Sequence, residues 1–495
     1  MKNDIHPFDF LTGSERLGTG KGLTGILILT IFVSFMISKA GLMIGIVLLI
    51  LPFIFLYLFL LFKNPVIGLF TAITLGFFIL GLGRYIPNFQ VGLLMDGILF
   101  LTFIALIFNR FYNRIDWTPA KKDVTNLALI WFGYSLLQFF NPEARSKEAW
   151  FAGMRGISLY MVLIIPLVLL LIDNRKKMDI FLYIWCTCSL LATFKGIMQK
   201  TIGVDPWEKA WLDSGGAITH IIFGQLRIFS FMSDAGQFGA NQGFTGVTFL
   251  IISFAEKNFR KKLFYLIVAL LGIYGMFISG TRGAIAVPLA GFFLYSFIRK
   301  NWYVIGTGLF LLSIVFVFFK YTNIGQNNDQ IRRMRSAFDP NDPSLQVRIE
   351  NQKKLSIYLA SRPFGGGIGH AGVKAQKYLP NAFLSNVATD SWYVLIWAEQ
   401  GIVGLLLHLF ILFYVVIKGS YLVMYRIRDP LVQIKMTGML CGMFGVMVSS
   451  YGNAVLGTMP TGVLIYTIMA LLLNSKQFDD PEPMLKGIPS EITLN

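Results

Sequence analysis

Apolar stretches of about 17 to 25 residues recur almost without interruption along this chain, and a stretch of that length coiled as a helix crosses the hydrocarbon layer of a bilayer. Spans are predicted near residues 23–38, 41–62, 65–83, 91–109, 124–140, 156–172 and 178–198. A second set follows near 237–254, 262–279, 283–298, 302–319, 390–417, 431–450 and 454–473. Lipid offers backbone amides no partner, so each span must satisfy its own hydrogen bonds as a helix. The expected fold is all-α, a polytopic integral membrane protein of about 12–14 transmembrane helices, with one large outer loop at 321–388.

Composition supports this and removes other classes. Apolar residues make up 55% and charged residues 14% of the chain, against about 45–50% and about 25% in soluble domains. A soluble enzyme, a DNA-binding domain and a secreted disulfide scaffold are excluded. The net charge of +17 is read as loop lysines and arginines that set orientation, with the bilayer rather than nucleic acid as partner. Cys186, Cys188 and Cys441 fall in apolar stretches and read as small core residues, with no metal site. The first apolar stretch lacks a convincing cleavage site and reads as an anchor.

Orientation follows from charge. With the N-terminus inside, inner segments hold 22 lysines and arginines and short outer loops hold 9, so the positive-inside rule puts both termini in the cytoplasm. The chain then divides into a tail at 1–22, a first transmembrane bundle at 23–198, a second transmembrane region at 199–473 and a tail at 474–495. Within the outer loop, Asp342 followed by Pro343 predicts a helix start and Pro363 its end, giving a helix laid along the outer membrane surface. The glycine run Gly365, Gly366, Gly367 and Gly369 permits a tight turn before re-entry.

Polar groups at membrane depth or at span ends are functional candidates. Arg227, Ser233, Asp234, Arg282, Arg348, His370, Asp390 and Ser391 all fall on the outer side. Arg282 can fork onto phosphate oxygens or can anchor topology at the interface. Asp390 reads as a helix cap or a proton acceptor. Glu399, nine residues later, sits about 180° around the helix from it, so the two do not form a carboxylate pair; it is expected to hold a polar group inside the bundle. Asp96 and Lys195 await partners that the sequence does not name. Trp207, Trp211, Trp302 and Tyr303 read as an interfacial aromatic belt, and Trp392 with Tyr393 as belt or sugar platform. The sequence contains no Walker A loop, no His and Cys cluster with metal spacing and no evident Ser, His, Asp order. No cofactor and no metal are expected.

Four pieces in order, "LRIFSFMSDAGQFGAN", "ISGTRGA", the loop from Arg348 to "SRPFGGGIGHAG", and "TDSWYVLIWAEQGIVGLLLHLFIL", resemble the O-antigen ligase and O-antigen polymerase superfamily. The resemblance covers roughly residues 225–415 and makes the 199–473 region the ligase/polymerase-like one. It implies a GT-C-like membrane glycosyltransferase in the bacterial inner membrane with a periplasmic site. Such an enzyme takes a glycan from undecaprenyl diphosphate. A ligase passes it to the lipid A core, and a polymerase to a growing glycan.

The resemblance further implies that Arg227, Arg282 and Arg348 hold the diphosphate, without a metal and with inversion at the sugar. Asp234, Ser391 and Glu399 are then acceptor-binding or structural. Ligases of the family commonly carry a histidine where this chain has Asp390, followed by a small polar residue. Asp390 is therefore the expected base, with His370 as second choice. A ligase is the first expectation, a polymerase the second, and a flippase for lipid-linked sugars the rival from another class.

Overall fold

The computed structural model describes residues 42–86, 91–109, 116–222, 224–300, 302–327, 329–336, 339 and 341–479, with nine helical positions between 24 and 39. Most of the first expected span and both tails lie largely outside the described residues. The other spans appear as helices. They are α1 Leu42–Lys63, α2 Val66–Leu82, α3 Gly92–Asn109, α4 Asp123–Leu137, α5 Lys147–Leu171 and α6 Arg175–Thr201. The second half adds α7 Ala235–Ala255, α8 Phe259–Ile278, α9 Arg282–Ile298, α10 Trp302–Tyr321, α11 Asp329–Arg335, α12 Pro343–Leu359, α13 Trp392–Tyr425, α14 Pro430–Ser449 and α15 Thr461–Leu473.

Among the described residues seven helices are long and apolar enough to cross a membrane, and four shorter apolar ones accompany them. This is an all-α polytopic membrane protein. The last helix starts at Thr461, later than the expected 454, because residues 451–460 form a loop folded into the outer end of the bundle.

The central helix is α7, packed against α8, α9 and α14. It carries Gln237, Asn241, Gln242, Thr245 and Thr248, all buried. Protein rather than lipid surrounds it, so these side chains find partners in neighbouring helices. Gln237 donates to Thr461 Oγ1 at 2.7 Å, Ser189 donates to Gln242 Oε1 at 2.9 Å, and Trp185 donates to Thr245 Oγ1 at 3.0 Å. The α7–α8 crossing is close enough that a Cβ on Gly272 would stand 3.0 Å from the Gly246 amide nitrogen.

Helix α13 is interrupted at Gly401, with φ +68° and ψ −170°. Such a backbone requires glycine, and here the glycine-run segment docks against the break. Gly366 and Gly367 donate to the carbonyls of Ala398 and Glu399 at 2.9 and 2.8 Å, and Val403 donates to Pro363 O at 3.3 Å.

Loop contacts sort the helix ends into two faces. On one face Asp123 meets Lys418 and Tyr414, Arg175 meets Asp429 at 2.6 Å, and Lys300 lies over Tyr425. On the other Arg84 meets Ser230 O at 2.9 Å, Glu143 meets Arg362 at 3.0 Å, Arg227 meets Thr281 at 3.1 Å and the Trp392 amide donates to Ser450 O at 3.0 Å. These are the alternating loop sets that the span order requires.

Candidate active site

The second of these faces holds a cavity of about 700 Å³. Arg227, Arg282, Arg332, Arg333 and Lys200 line it, with Asp342 as the one carboxylate among its described residues, and Ser336 and Ile278 complete much of the wall. Arg227 follows a short antiparallel pair, Ile221–Ile222 with Gln225–Leu226. It donates to Thr219 O and to Thr281 Oγ1, each at 3.1 Å, while its Nε is buried without a partner. Burial lowers its pKa, and the charges of Arg282 and Arg348 add to this.

Arg282 opens α9 on a turn of 3-10 helix. Its Nη1 donates to Asp342 at 2.5 Å and to Ser336 Oγ at 2.8 Å. Burial pushes the Asp342 carboxyl up, but the Arg282 guanidinium and the amides of Leu345 and Ser344 outweigh it and hold it below its ordinary value. Asp342 also caps α12, as its sequence position before Pro343 predicts.

Arg348 does not join this cavity. One helical turn further along α12 it lines a smaller cleft with Asp390, Ser391, Asn351 and Tyr451. Its Nε lies 3.2 Å from Asp390 Oδ2, and the side chains are 36% and 55% exposed. The N-cap of α13 is Ser391, whose Oγ accepts from the Val394 amide at 3.5 Å. Asp390 is thereby left out of the cap, with its carboxylate open to solvent. The two compartments adjoin: a Cβ on Gly452 would stand 3.7 Å from Gly283 Cα and 4.0 Å from Arg348 Nη1. Asn453 Nδ2, next to Gly283, is buried without a partner.

The remaining candidates are engaged in the framework. Asp234 caps α7, accepting from the Gln237 amide at 2.9 Å and from Ser233 Oγ at 2.7 Å. Burial raises its carboxyl, but those two donors bring it below the usual value. Glu399 is buried and accepts from the Ala371 amide at 3.4 Å, a group of the 321–388 loop rather than one inside the bundle. His370 is 3% exposed, with Nδ1 against Ile368 O at 2.8 Å and Nε2 accepting from the Ser146 amide at 3.0 Å. Both ring nitrogens are occupied by backbone groups, which speaks against the second-choice base role expected from sequence.

Trp392 is likewise buried and donates to His408 at 2.9 Å, so it is neither belt nor sugar platform. Trp211 packs on Phe229, His220 and Arg84 instead of facing lipid. The Trp302 side chain lies outside the described residues. Asp96 pairs with Arg155 at 3.0 Å and Lys195 with Asp205 at 2.9 Å, supplying the partners that the sequence did not name. Arg332 and Arg333, which line the cavity, are not among the site residues expected from sequence. The signal available was their place shortly before Asp342.

Comparison with known proteins adds a separate line. Residues 267–409 match the family model described as O-Antigen ligase, a stretch that includes Arg282, Asp342, Arg348 and Asp390. An O-antigen polymerase of Salmonella muenchen is 25% identical over 335 residues, covering 65% of this chain and 81% of the relative. Both findings agree with the sequence motifs and support placing the chain in the O-antigen ligase and O-antigen polymerase superfamily.

Proposed function

We propose that this protein is a membrane glycosyltransferase that moves a glycan from undecaprenyl diphosphate to an acceptor hydroxyl at the face bearing the 700 Å³ cavity. The observation that carries the reading is the arginine-lined cavity with its single carboxylate, set beside a cleft with an open carboxylate. In this reading Arg227 and Arg282 receive the diphosphate and stabilise the charge that develops on it as it leaves. Arg348 pairs with Asp390 and orients it. Asp390 accepts the acceptor proton while the acceptor oxygen bonds to the anomeric carbon. The sugar-to-diphosphate bond breaks with its electron pair on the leaving oxygen, which inverts the anomeric centre. The charge pattern of the loops supports a periplasmic site in a bacterial inner membrane and cytoplasmic termini.

Among acceptors, a second lipid-linked repeat is favoured, because the polymerase relative matches along most of both chains. The lipid A core stands as the second reading, because the matched domain carries the ligase description. Surface glycolipids from cells lacking the gene test the choice. A polymerase leaves lipid A with a single repeat unit, whereas a ligase leaves long glycans on undecaprenyl diphosphate and none on lipid A. Transfer by purified protein tests the chemistry. Arg282→Ala is expected to lower the rate by about 10²-fold or more, and Asp390→Asn by about 10²-fold or more. A rate within about twofold of the parent, under about 1 kcal/mol of barrier, removes the residue from its role.

A further inference from the structure

The larger cavity has lost one of its expected arginines and contains another. Arg348 faces the smaller cleft and is committed to Asp390. Arg333, from α11, lines the large cavity beside Arg227 and Arg282. Its Cδ lies 3.6 Å from the place of a Cβ on Gly280, two residues before Arg282. Its Nε is buried without a partner, and among the described residues its guanidinium takes part in no hydrogen bond or ion pair.

A buried guanidinium nitrogen with no acceptor is costly, and the Nε of Arg333 has given up water and received nothing in return, while its terminal nitrogens stay open to the cavity. Like charges increase that cost. Burial, then the charges of Arg227 and Arg282, push Arg333 down to about 10, and it remains charged at neutral pH. The one carboxylate among the described residues of the cavity, Asp342, is already taken by Arg282. Arg227, Arg282, Arg332, Arg333 and Lys200 against that one described carboxylate leave the lining strongly cationic, so it favours the more highly charged of two anionic head groups. A glycosylated lipid diphosphate carries one negative charge on each of its two phosphates. A glycosylated lipid monophosphate carries a single charge and offers one phosphate for the guanidinium groups to fork onto.

We propose that Arg333, in place of Arg348, is the third arginine of the anion site and makes the cavity select a lipid diphosphate over a lipid monophosphate. This rests on the lipid-diphosphate reading above and names the residue that sets its head-group preference. Arg227 grips from the loop after the short antiparallel pair, Arg282 from the start of α9, and Arg333 closes the cavity from the 321–388 loop.

The test is binding of farnesyl diphosphate and farnesyl monophosphate each esterified by the same sugar, so that they share one tail and one sugar and carry two and one negative charges, to the purified full-length protein in detergent. The parent is expected to prefer the diphosphate by about tenfold or more, the scale of one charge-assisted contact. Arg333→Ala is expected to bring the two affinities within about threefold of each other. Arg333→Lys, which keeps the charge without the fork, is expected to recover part of the preference and to exclude misfolding as the cause. Arg348→Ala is expected to leave both affinities within about twofold of the parent. The proposal is overturned if Arg333→Ala keeps the parent's preference, if Arg348→Ala abolishes it, or if the parent shows none. A parent that transfers glycan yet shows no preference defeats this inference and leaves the enzyme reading intact. A preference that depends on Arg333 in a protein inactive toward every glycan acceptor defeats the enzyme reading and leaves the anion site.

Discussion

His370 accepts from the Ser146 amide through Nε2 and meets Ile368 O through Nδ1, so only the neutral ring with its proton on Nδ1 fits. Burial holds its pKa below the ordinary histidine value of 6.5. Above that value the ring is neutral whether the loop is docked or free, and the contact contributes fully. As pH falls below it, the free loop takes up a proton that the docked loop resists, so docking weakens until the lower, docked pKa is passed. Hydrogen exchange at the Ser146 amide, corrected for intrinsic rate, is therefore expected to speed up between about pH 7 and about pH 5. His370→Asn should remove that dependence, and equal protection of the parent at both pH values would refute it. At the same scale, Asp342→Asn keeps a side-chain cap for α12 but frees Arg282 of its carboxylate. Farnesyl diphosphate is expected to bind this variant about threefold or more tightly than the parent, and unchanged or weaker binding contradicts the competition. Residue types in sequence placed Arg227, Arg282 and Asp390 at one face. What they withheld was pairing: one position along α13 made Ser391 the cap and left Asp390 open, and one turn of α12 sent Arg348 to a different compartment.

At the scale of elements, hydropathy located nearly every span, because lipid-facing helices must be apolar along their length. It described α7 least well, since a helix surrounded by protein can place glutamines and threonines where its neighbours offer partners. It gave no hint that α13 breaks at Gly401, because a glycine inside an apolar run has the same composition whether the helix continues or not. The break is held by the glycine-run segment hydrogen-bonded across it. In Gly401→Ala the new Cβ would strike the Pro363 carbonyl, at a φ that disfavours any side chain. A stability loss of about 1–3 kcal/mol is expected, read as a lower thermal midpoint in detergent. A midpoint equal to the parent's would show that the break relaxes without cost.

For the whole molecule, the two loop faces allow a direct test of orientation. All three native cysteines are buried, so new ones can be read against a quiet background. A membrane-impermeant maleimide applied to intact spheroplasts is expected to label Asn341→Cys, in the exposed outer loop, and to miss Lys257→Cys until the membrane is opened. The reverse pattern would invert the topology. Charge counting predicts this orientation from sequence, whereas the meeting of distant loops was not legible there, because nothing in a list of spans says which loop ends touch.

One such meeting reaches beyond the site. The outer segment around Pro363 to His370 is fastened to the first half of the chain, with Gln138 and Asn141 donating to Phe364 O, Arg362 donating to Glu143, and the Ser146 amide donating to His370. The matched stretch, 267–409, therefore carries Arg282, Arg333 and Asp390 but neither Arg227 nor the residues that clamp the segment leading to Asp390. The shape of the candidate site is accordingly a property of both halves of the chain. A recombinant that imports the matched stretch alone into a distant relative is expected to lose the clamp on the segment leading to Asp390.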